Sequence, residues 1–393
     1  MSDPIVIVEA VRTPMGGLQG ELSDATAADL GAVAISSVLE RAELPSDAVD
    51  EVLMGCVLPA GQGQAPARQA ALGAGLPLSV PCSTVNKMCG SGMKTVMMAH
   101  DQLAAGNGRV VVAGGMESMT NAPYLLPKMR AGARLGHAQA IDHMFLDGLE
   151  DAYDKGRLMG TFAEDCAERY QFTREQQDAY ALASLDRATH AQTDGTFARE
   201  IASVTVKSRK SETLVETDEQ PRKARPDKIP HLKPAFKSDG TVTPANASSI
   251  SDGAAALILM RASAAEKAGA NVRAVIRGHA SHAQEPGWFT TAPVPATQKL
   301  LEKLSLAAKD VDLWEVNEAF AVVPMAFMRE MSIDHTAVNV HGGACALGHP
   351  IGASGARILV TLLNALDVHD LKRGVAAICI GGGEGTAMMV ERV

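Results

Sequence analysis

Residues 91–103 read SGMKTVMMAHDQL and residues 354–366 read SGARILVTLLNAL, and both join an opening Ser-Gly to apolar residues at helical spacing. Two other pairs of segments match at nearly the same separation along the chain. They are VDEVLMG (49–55) with VDLWEVN (311–317), and GRVVVAGGMESM (108–119) with GVAAICIGGGEGTAM (374–388). The repeat predicts two related halves, the alternative being chance similarity between apolar runs.

The order of elements within the first half predicts the fold class. Strand-like runs at Ile5–Val8, 49–55 and 109–115 alternate with helical patterns at about Ala25–Arg41 and 92–105. Such alternation is typical of an α/β protein with a largely parallel sheet.

Residues 120–249 interrupt this repeat. Thr173-Arg-Glu-Gln176 is a capping-box arrangement that predicts the start of a helix, but much of the remaining segment is polar and loop-like. We therefore predict an N-terminal α/β half at 1–119, completed by about 250–271, an inserted loop domain at 120–249, and a C-terminal α/β half at 272–393.

Composition excludes several classes of protein. The chain has 393 residues, of which 46% are hydrophobic and 21% charged, as expected for globular domains. No apolar run approaches the length of a membrane span, and the first residues lack the pattern of a signal peptide. The six cysteines are scattered without a CxxC pair, so we expect reduced thiols, no zinc site and a cytoplasmic location.

The charge distribution is uneven. The net charge of −9 disfavours general nucleic-acid binding, yet residues 207–237 hold nine of the 36 Lys and Arg against five acids. This basic stretch is either a solvated loop or a surface that binds a phosphorylated ligand by electrostatic attraction.

Cys89, in NKMCGSG (86–92), is a candidate nucleophile. It lies between a turn-prone stretch and a predicted helix start at Gly90, where free N–H groups and the helix dipole favour a thiolate. The alternative is an inert, buried cysteine.

The C-terminal half supplies further candidates. His349 precedes the helix that repeats the one after Cys89, so a pseudo-twofold arrangement would bring the two helix starts together as a Cys–His pair. Cys379 ends a strand before GGGEG, a turn whose amides could form an oxyanion hole rather than a dinucleotide site. Asn317 and Glu318 lie at another strand end.

Motifs along essentially the whole chain resemble the thiolase family, in its acetyl-CoA acetyltransferase (acetoacetyl-CoA thiolase) branch. The motifs are EAVRTPMG, GQGQAPARQAAL, NKMCGSGMK, AGGMESMTNAPY, NASSISDGAAA, NEAFA, GGACALGHPIGASGAR and CIGGGEG. The resemblance implies a five-layered α-β-α-β-α core made of two pseudo-symmetric halves.

Catalytic roles follow from the same resemblance. Cys89 matches the nucleophile that becomes acylated, His349 the base that activates it, and Cys379 the second cysteine, which takes a proton from the methyl group of acetyl-CoA. The amides of Cys89 and Gly381 match one oxyanion hole. His349 and a water held by Asn317 match a second. Because one cysteine cannot carry the acyl group and act as base at once, the reaction needs two thiols. We expect ping-pong transfer, in which coenzyme A leaves before the second substrate reacts.

The resemblance also assigns substrate contacts. Residues matching the pantetheine tunnel, its floor and the acyl pocket are Ser248, Ala319, Phe320, Ala235, Phe236, Met159 and Leu149. Arg222, within the basic stretch, matches a contact to the nucleotide end of coenzyme A. The implied ligands are acetyl-CoA, acetoacetyl-CoA and CoA, with no permanently bound cofactor or metal, no nucleic acid and no membrane. The implied assembly is a homotetramer of two tight dimers.

Two positions depart from the family pattern. The loop 157–160 reads RLMG where short-chain members commonly have His-Met-Gly, so Leu158 replaces a polar contact to substrate. Glu384 replaces a frequent Gln or Met. Three hypotheses follow: a short-chain acetyl-CoA C-acetyltransferase of fatty acid metabolism, a degradative 3-ketoacyl-CoA thiolase of broader chain length, and a non-catalytic acyl-CoA- or lipid-binding relative.

Overall fold

A computed structural model describes residues 3–207 and 211–393. Residues 208–210, which belong to the basic stretch identified above, lie outside the described residues.

The strands vary from two to eleven residues. They are β1 (Ile5–Arg12), β2 (Gly16–Gly17), β3 (Glu51–Gly55), β4 (Cys82–Val85), β5 (Val110–Ser118), β6 (Tyr124–Leu125), β7 (Ile141–Asp142), β8 (Val204–Lys207), β9 (Glu212–Val215), β10 (Ser251–Arg261), β11 (Ala274–Ala283), β12 (Leu313–Val316), β13 (Arg373–Ile380) and β14 (Glu384–Arg392).

The α-helices are α1 (Ala27–Arg41), α2 (Pro66–Gly73), α3 (Ser91–Ala104), α4 (Met159–Tyr170), α5 (Arg174–Thr193), α6 (Glu219–Lys223), α7 (Ala262–Ala268), α8 (Pro293–Leu304), α9 (Val322–Met331), α10 (Ala344–Leu347) and α11 (Ser354–Val368). Among residues 3–207 and 211–393, no helix combines the length and the apolar character that crossing a bilayer would need.

The principal sheet has the strand order β4-β3-β5-β10-β1-β11-β14-β13-β12, with β2 paired to β10. β3 is parallel to β4 and β5, and β12 is parallel to β13, but the other pairings are antiparallel. The prediction of a largely parallel sheet is therefore wrong. One cause is the turn between β13 and β14, where Gly382 (φ +91°) and Gly383 (φ +86°) reverse the chain into a hairpin.

The two halves have the same order of elements, as the repeat predicted. β1, α1, β3, α2, α3, β5 and β10 in the first half correspond to β11, α8, β12, α9, α11, β13 and β14 in the second. The halves meet where β1 pairs with β11 through Val6 with Val275 and Ile7 with Ala274.

Three apolar cores separate five layers. One core joins α1 and α2 to the first half's strands, a second surrounds α3 and α11 between the halves, and a third joins α8 and α9 to the second half's strands. Alternate residues of β13 pack into two different cores. Ala376 and Ile378 face the core around α3 and α11, while Val375 and Ala377 face the core that contains α8 and α9.

The Ser-Gly pair that opens each repeated helix allows α3 and α11 to touch. A Cβ on Gly92 would lie 2.7 Å from the backbone N of Ala356, and a Cβ on Gly355 would lie 2.4 Å from the backbone N of Met93. Because these contacts lie in the first turn of each helix, the segments just before the helices, which carry Cys89 and His349, are brought to the same region.

The segment 120–249 contains α4, α5, α6 and the hairpins β6–β7 and β8–β9. α5 begins with the predicted capping box, in which the Thr173 hydroxyl accepts from the Gln176 N–H and the Gln176 side chain accepts from the Thr173 N–H. The exact limits of the three predicted regions stay a prediction.

Candidate active site

Cys89 lies in a tight turn between β4 and α3, which we call the nucleophile turn (residues 86–90). Met88 has a left-handed backbone (φ +46°), and the Ser91 hydroxyl holds the turn by accepting from the Lys87 N–H (2.8 Å) and donating to the Met88 carbonyl (2.6 Å). The helix begins at Ser91, one residue after the predicted start. The turn leaves Cys89 half-buried, on the wall of a pocket.

This pocket has a volume of about 360 Å³ and brings together residues from both halves and from segment 120–249. Ten residues assigned from the sequence line it: Cys89, Leu149, Met159, Ala235, Phe236, Ser248, Ala319, Phe320, His349 and Gly381. The other lining residues are Phe145, Gly148, Leu158, Gly160, Pro244, Ala247, Ser249, Ile250, Phe289 and Ile351. The wall is thus mostly apolar, with the reactive groups at a few points.

Two backbone amides point at the Cys89 sulfur. Burial raises the pKa of Cys89 to about 11, while the N–H groups of Gly381 and of Cys89 itself lower it by hydrogen bonding. The thiol is therefore protonated at neutral pH and needs a base before it can attack. The same two amides could stabilise negative charge on an oxygen bound at this point.

His349 is held in the tautomer that a base requires. Its Nδ1 lies 2.6 Å from the Ser354 hydroxyl, whose own proton is donated to the Pro350 carbonyl at 2.9 Å. The hydroxyl must therefore accept from Nδ1–H, which leaves Nε2 unprotonated. Nε2 has no hydrogen-bond partner among the described residues. Burial, together with the charge of Arg357, lowers the pKa of His349 to about 3, so the ring is neutral near pH 7.

Cys379 is fully buried at the end of β13 and does not line the pocket. Burial and the neighbouring Cys89 raise the pKa of Cys379 well above its ordinary value. Its thiolate, once formed, would be a strong base.

Asn317 follows β12, where its backbone N–H donates to the Ala377 carbonyl at 2.9 Å. Its side-chain amide is fully buried, and neither polar atom finds a partner within residues 3–207 and 211–393. Leaving a buried amide unpaired costs about 1–3 kcal/mol, and such groups are typical of sites that act on a ligand.

The remaining wall is built by two motifs that pair with each other. The Ser248 N–H and hydroxyl both donate to the Ala319 carbonyl at 3.0 Å, and the Ser249 carbonyl accepts from the His349 N–H at 3.1 Å. NASS thus joins NEAFA to the histidine loop. The rings of Phe236 and Phe320 meet edge to face at 6.1 Å.

Arg222 lies apart from this pocket. It belongs to α6, pairs with Glu21 at 2.5 Å, and is not a lining residue. Its contact with a nucleotide stays a prediction.

Sequence reasoning missed two supporting residues. One is Ser354, although its place in the repeat matches that of Ser91, and this equivalence was the available signal. The other is Glu117, which is fully buried and accepts from the N–H groups of Val57 (2.9 Å), Leu58 (3.1 Å) and Gly352 (2.9 Å). Burial raises the pKa of Glu117 to about 7, although these three hydrogen bonds act to lower the pKa. It ties the first half to the loop that carries His349.

A group of possible metal ligands lies outside the pocket. Ligand atoms of His100, Asp101 and His279 are within 4.8 Å of one another. Asp101 Oδ1 is 3.0 Å from His100 Nδ1 and 2.9 Å from His279 Nε2, so hydrogen bonds account for the cluster without an ion.

Known proteins with similar sequences match this chain along essentially its whole length. Sequence models of the thiolase N-terminal and C-terminal domains match residues 5–263 and 270–392. The acetyl-CoA acetyltransferase of Pseudomonas aeruginosa is 48% identical over 390 residues, covering 99% of each chain, and that of Schizosaccharomyces pombe is 47% identical over 391 residues with the same coverage.

Solved structures agree. A thiolase from Ascaris suum in complex with coenzyme A has a TM-score of 0.94 at 42% identity, covering 99% of this chain and 100% of that one. The Bacillus anthracis acetyl-CoA acetyltransferase has a TM-score of 0.97 at 39% identity, covering 100% and 99%. With both family domains matched and the fold shared along its length, this chain belongs to the thiolase family.

Proposed function

We propose that the protein is an acetyl-CoA C-acetyltransferase that joins two acetyl-CoA molecules reversibly into acetoacetyl-CoA and CoA. The observation that carries the proposal is one pocket holding the Cys89 thiol, the Gly381 amide and His349, whose Nε2 is free to accept a proton. The names of the relatives support the same activity.

In the first half-reaction, His349 Nε2 takes the Cys89 proton as the sulfur attacks the thioester carbon of acetyl-CoA. The amides of Cys89 and Gly381 stabilise the developing oxyanion. Collapse of the tetrahedral intermediate breaks the bond to the CoA sulfur, which receives the proton from His349. The products are acetyl-Cys89 and free CoA.

In the second half-reaction, the Cys379 thiol first gives its own proton to His349 Nε2, and the resulting thiolate removes a methyl proton from another acetyl-CoA. A thioester methyl is a very weak acid, so the high pKa of Cys379 suits it as the base. His349 and a water on Asn317 stabilise the enolate. The carbanion attacks acetyl-Cys89, and the Cys89 sulfur leaves and takes the proton from His349.

Several finer features belong to this proposal. Met159 and the apolar wall suit short acyl groups, and Arg222, on α6 within the basic stretch, contacts the nucleotide end of CoA. Only CoA thioesters are needed, with no resident cofactor or metal. The protein works in the cytoplasm, in fatty acid metabolism.

A homotetramer is part of the proposal as well. Six large apolar side chains in the 120–150 segment are exposed, namely Tyr124, Leu126, Met129, Leu135, Phe145 and Leu146. In the described part of the chain, the outer edge of β4 pairs with no further strand. Exposed strand edges and apolar patches of this kind favour association with another copy. Light scattering on the purified protein tests the assembly.

The activity is tested by following loss of acetoacetyl-CoA in the presence of CoA. We expect turnover of this substrate and not of 3-ketohexadecanoyl-CoA, with none in Cys89→Ala or Cys379→Ala. Radiolabelled acetyl-CoA separates the two roles, because Cys379→Ala should still become acetylated and Cys89→Ala should not. Comparable turnover of the long substrate would favour the degradative thiolase. CoA binding without turnover in the wild type would favour the non-catalytic relative.

A further inference from the structure

The two amides of the oxyanion hole come from turns that are 292 positions apart in the chain and belong to different halves. Cys89 lies in the nucleophile turn of the first half, and Gly381 opens the turn between β13 and β14, which we call the glycine turn (residues 381–383). An oxyanion hole acts only when both donors lie within about 2.7–3.1 Å of the developing charge. The relative position of these turns therefore determines the rate of acyl transfer.

Gly90, in the nucleophile turn, packs against the side chain of Ile380, the residue before the glycine turn. A Cβ on Gly90 would lie 2.4 Å from Ile380 Cδ1, so glycine is the residue that allows this approach. The contact stops the turns from moving closer together. It does not by itself keep them from sliding or separating.

One ion pair connects the turns directly. Lys87 Nζ, in the nucleophile turn, lies 2.5 Å from Glu384 Oε2, immediately after the glycine turn. The side chains are 21% and 36% exposed, so water screens the pair only in part. Neither residue lines the pocket. This also gives Glu384, an unexplained departure from the family pattern, a definite partner.

We propose that the Lys87–Glu384 ion pair positions the oxyanion hole by fixing the nucleophile turn against the glycine turn. The proposal rests on the acyl-transfer function described above. Both residues are positioning residues, since their contacts are with each other and not with the reacting atoms. Loss of the pair should weaken stabilisation of the transition state while leaving the thiol, the base and the substrate tunnel in place.

The predicted kinetic signature differs from that of a substrate contact. Glu384→Gln and Lys87→Met should each lower kcat about tenfold with KM for CoA unchanged within twofold, because the lost interaction acts in the transition state. The double variant should be no slower than either single variant, since both break the same pair. The exchange Lys87→Glu with Glu384→Lys should recover most of the lost rate.

Glu391→Gln is the matched control. Glu391 pairs with Arg373 at 2.9 Å across the same hairpin, at the end far from the glycine turn, and its side chain is 16% exposed. Its loss should leave kcat within twofold of the wild type. Thermal unfolding of each variant shows whether any loss of rate merely follows loss of stability.

The experiment measures single-turnover acetylation of Cys89 from radiolabelled acetyl-CoA, together with steady-state thiolysis. Slower acetylation in the two single variants, recovery in the exchanged pair and a neutral control would support the proposal. Wild-type rates in Glu384→Gln, a raised KM with unchanged kcat in Lys87→Met, or an equal loss in Glu391→Gln would overturn it. A wild type that neither acetylates nor turns over would instead overturn the proposed function, and this inference with it.

Discussion

Replacing Ser354 by alanine tests whether the tautomer of His349 controls the reaction. The hydroxyl is buried and accepts from Nδ1–H at 2.6 Å, while its own proton goes to the Pro350 carbonyl. In Ser354→Ala, Nδ1–H loses its acceptor in a dry environment. The proton can then move to Nε2, where it prevents the ring from taking the Cys89 proton.

The size of the effect follows from the cost of an unpaired buried polar group, about 1–3 kcal/mol. If this cost falls on the active tautomer, the barrier rises by the same amount, and a tenfold change in rate corresponds to about 1.4 kcal/mol. We therefore expect kcat to fall by about 5- to 150-fold. KM should change little, because Ser354 does not line the pocket.

Thr361→Val is the matched control for this experiment. Thr361 lies on the same helix, is fully buried, and donates to Glu200 at 3.1 Å, so its loss removes a comparable hydrogen bond away from the pocket. Both variants should lose stability in urea, but only Ser354→Ala should lose activity. Equal kcat values in the two variants, within twofold, would refute the tautomer argument.

Three further predictions concern the thiol, the helix contact and the acyl wall. Because the pKa of Cys89 is raised to about 11, its alkylation by iodoacetamide should accelerate about tenfold per pH unit between pH 7 and 10; a plateau from pH 6 would instead reveal a preformed ion pair with His349. Gly355→Ala should lower the free energy of unfolding by about 1–3 kcal/mol, because the new Cβ would lie 2.4 Å from the Met93 backbone. Gly278→Ala is the control, since its Cβ would make only an ordinary contact at 3.4 Å. In the same urea titration it should change the free energy of unfolding less. Leu158→Ala should reduce the preference for acetoacetyl-CoA over 3-ketohexanoyl-CoA about tenfold in kcat/KM; an unchanged ratio would show that this side chain does not limit acyl length.

Much of the fold could be predicted from the sequence because it is periodic. Apolar spacing within 91–103 and 354–366 identifies the helices, and their constant separation from matching strands identifies two halves. Strand direction could not be predicted in the same way. Whether β14 runs parallel or antiparallel to β13 depends on a hairpin through Gly382 and Gly383, and the alternation of apolar residues is the same in either direction.

In the candidate site, too, some features could be predicted from short stretches of sequence and others could not. Residue type and local position identified Cys89, His349 and Cys379, because a thiol before a helix or a histidine in a glycine-rich loop is visible in a short stretch. The supporting contacts depend on groups far apart in the chain. Lys87 and Glu384 are 297 residues apart, and nothing local in either segment indicates that they meet.

By itself, the sequence indicated the helices and strands of the repeat, the division into two halves, and the side chains proposed as nucleophile and bases. The tertiary structure alone decided strand direction, the tautomer of His349 and the pairing across the two turns. The physical reason is the range of the interactions. Periodicity and capping act over a few residues, whereas hydrogen bonds, ion pairs and desolvation depend on which distant groups packing brings within about 3 Å.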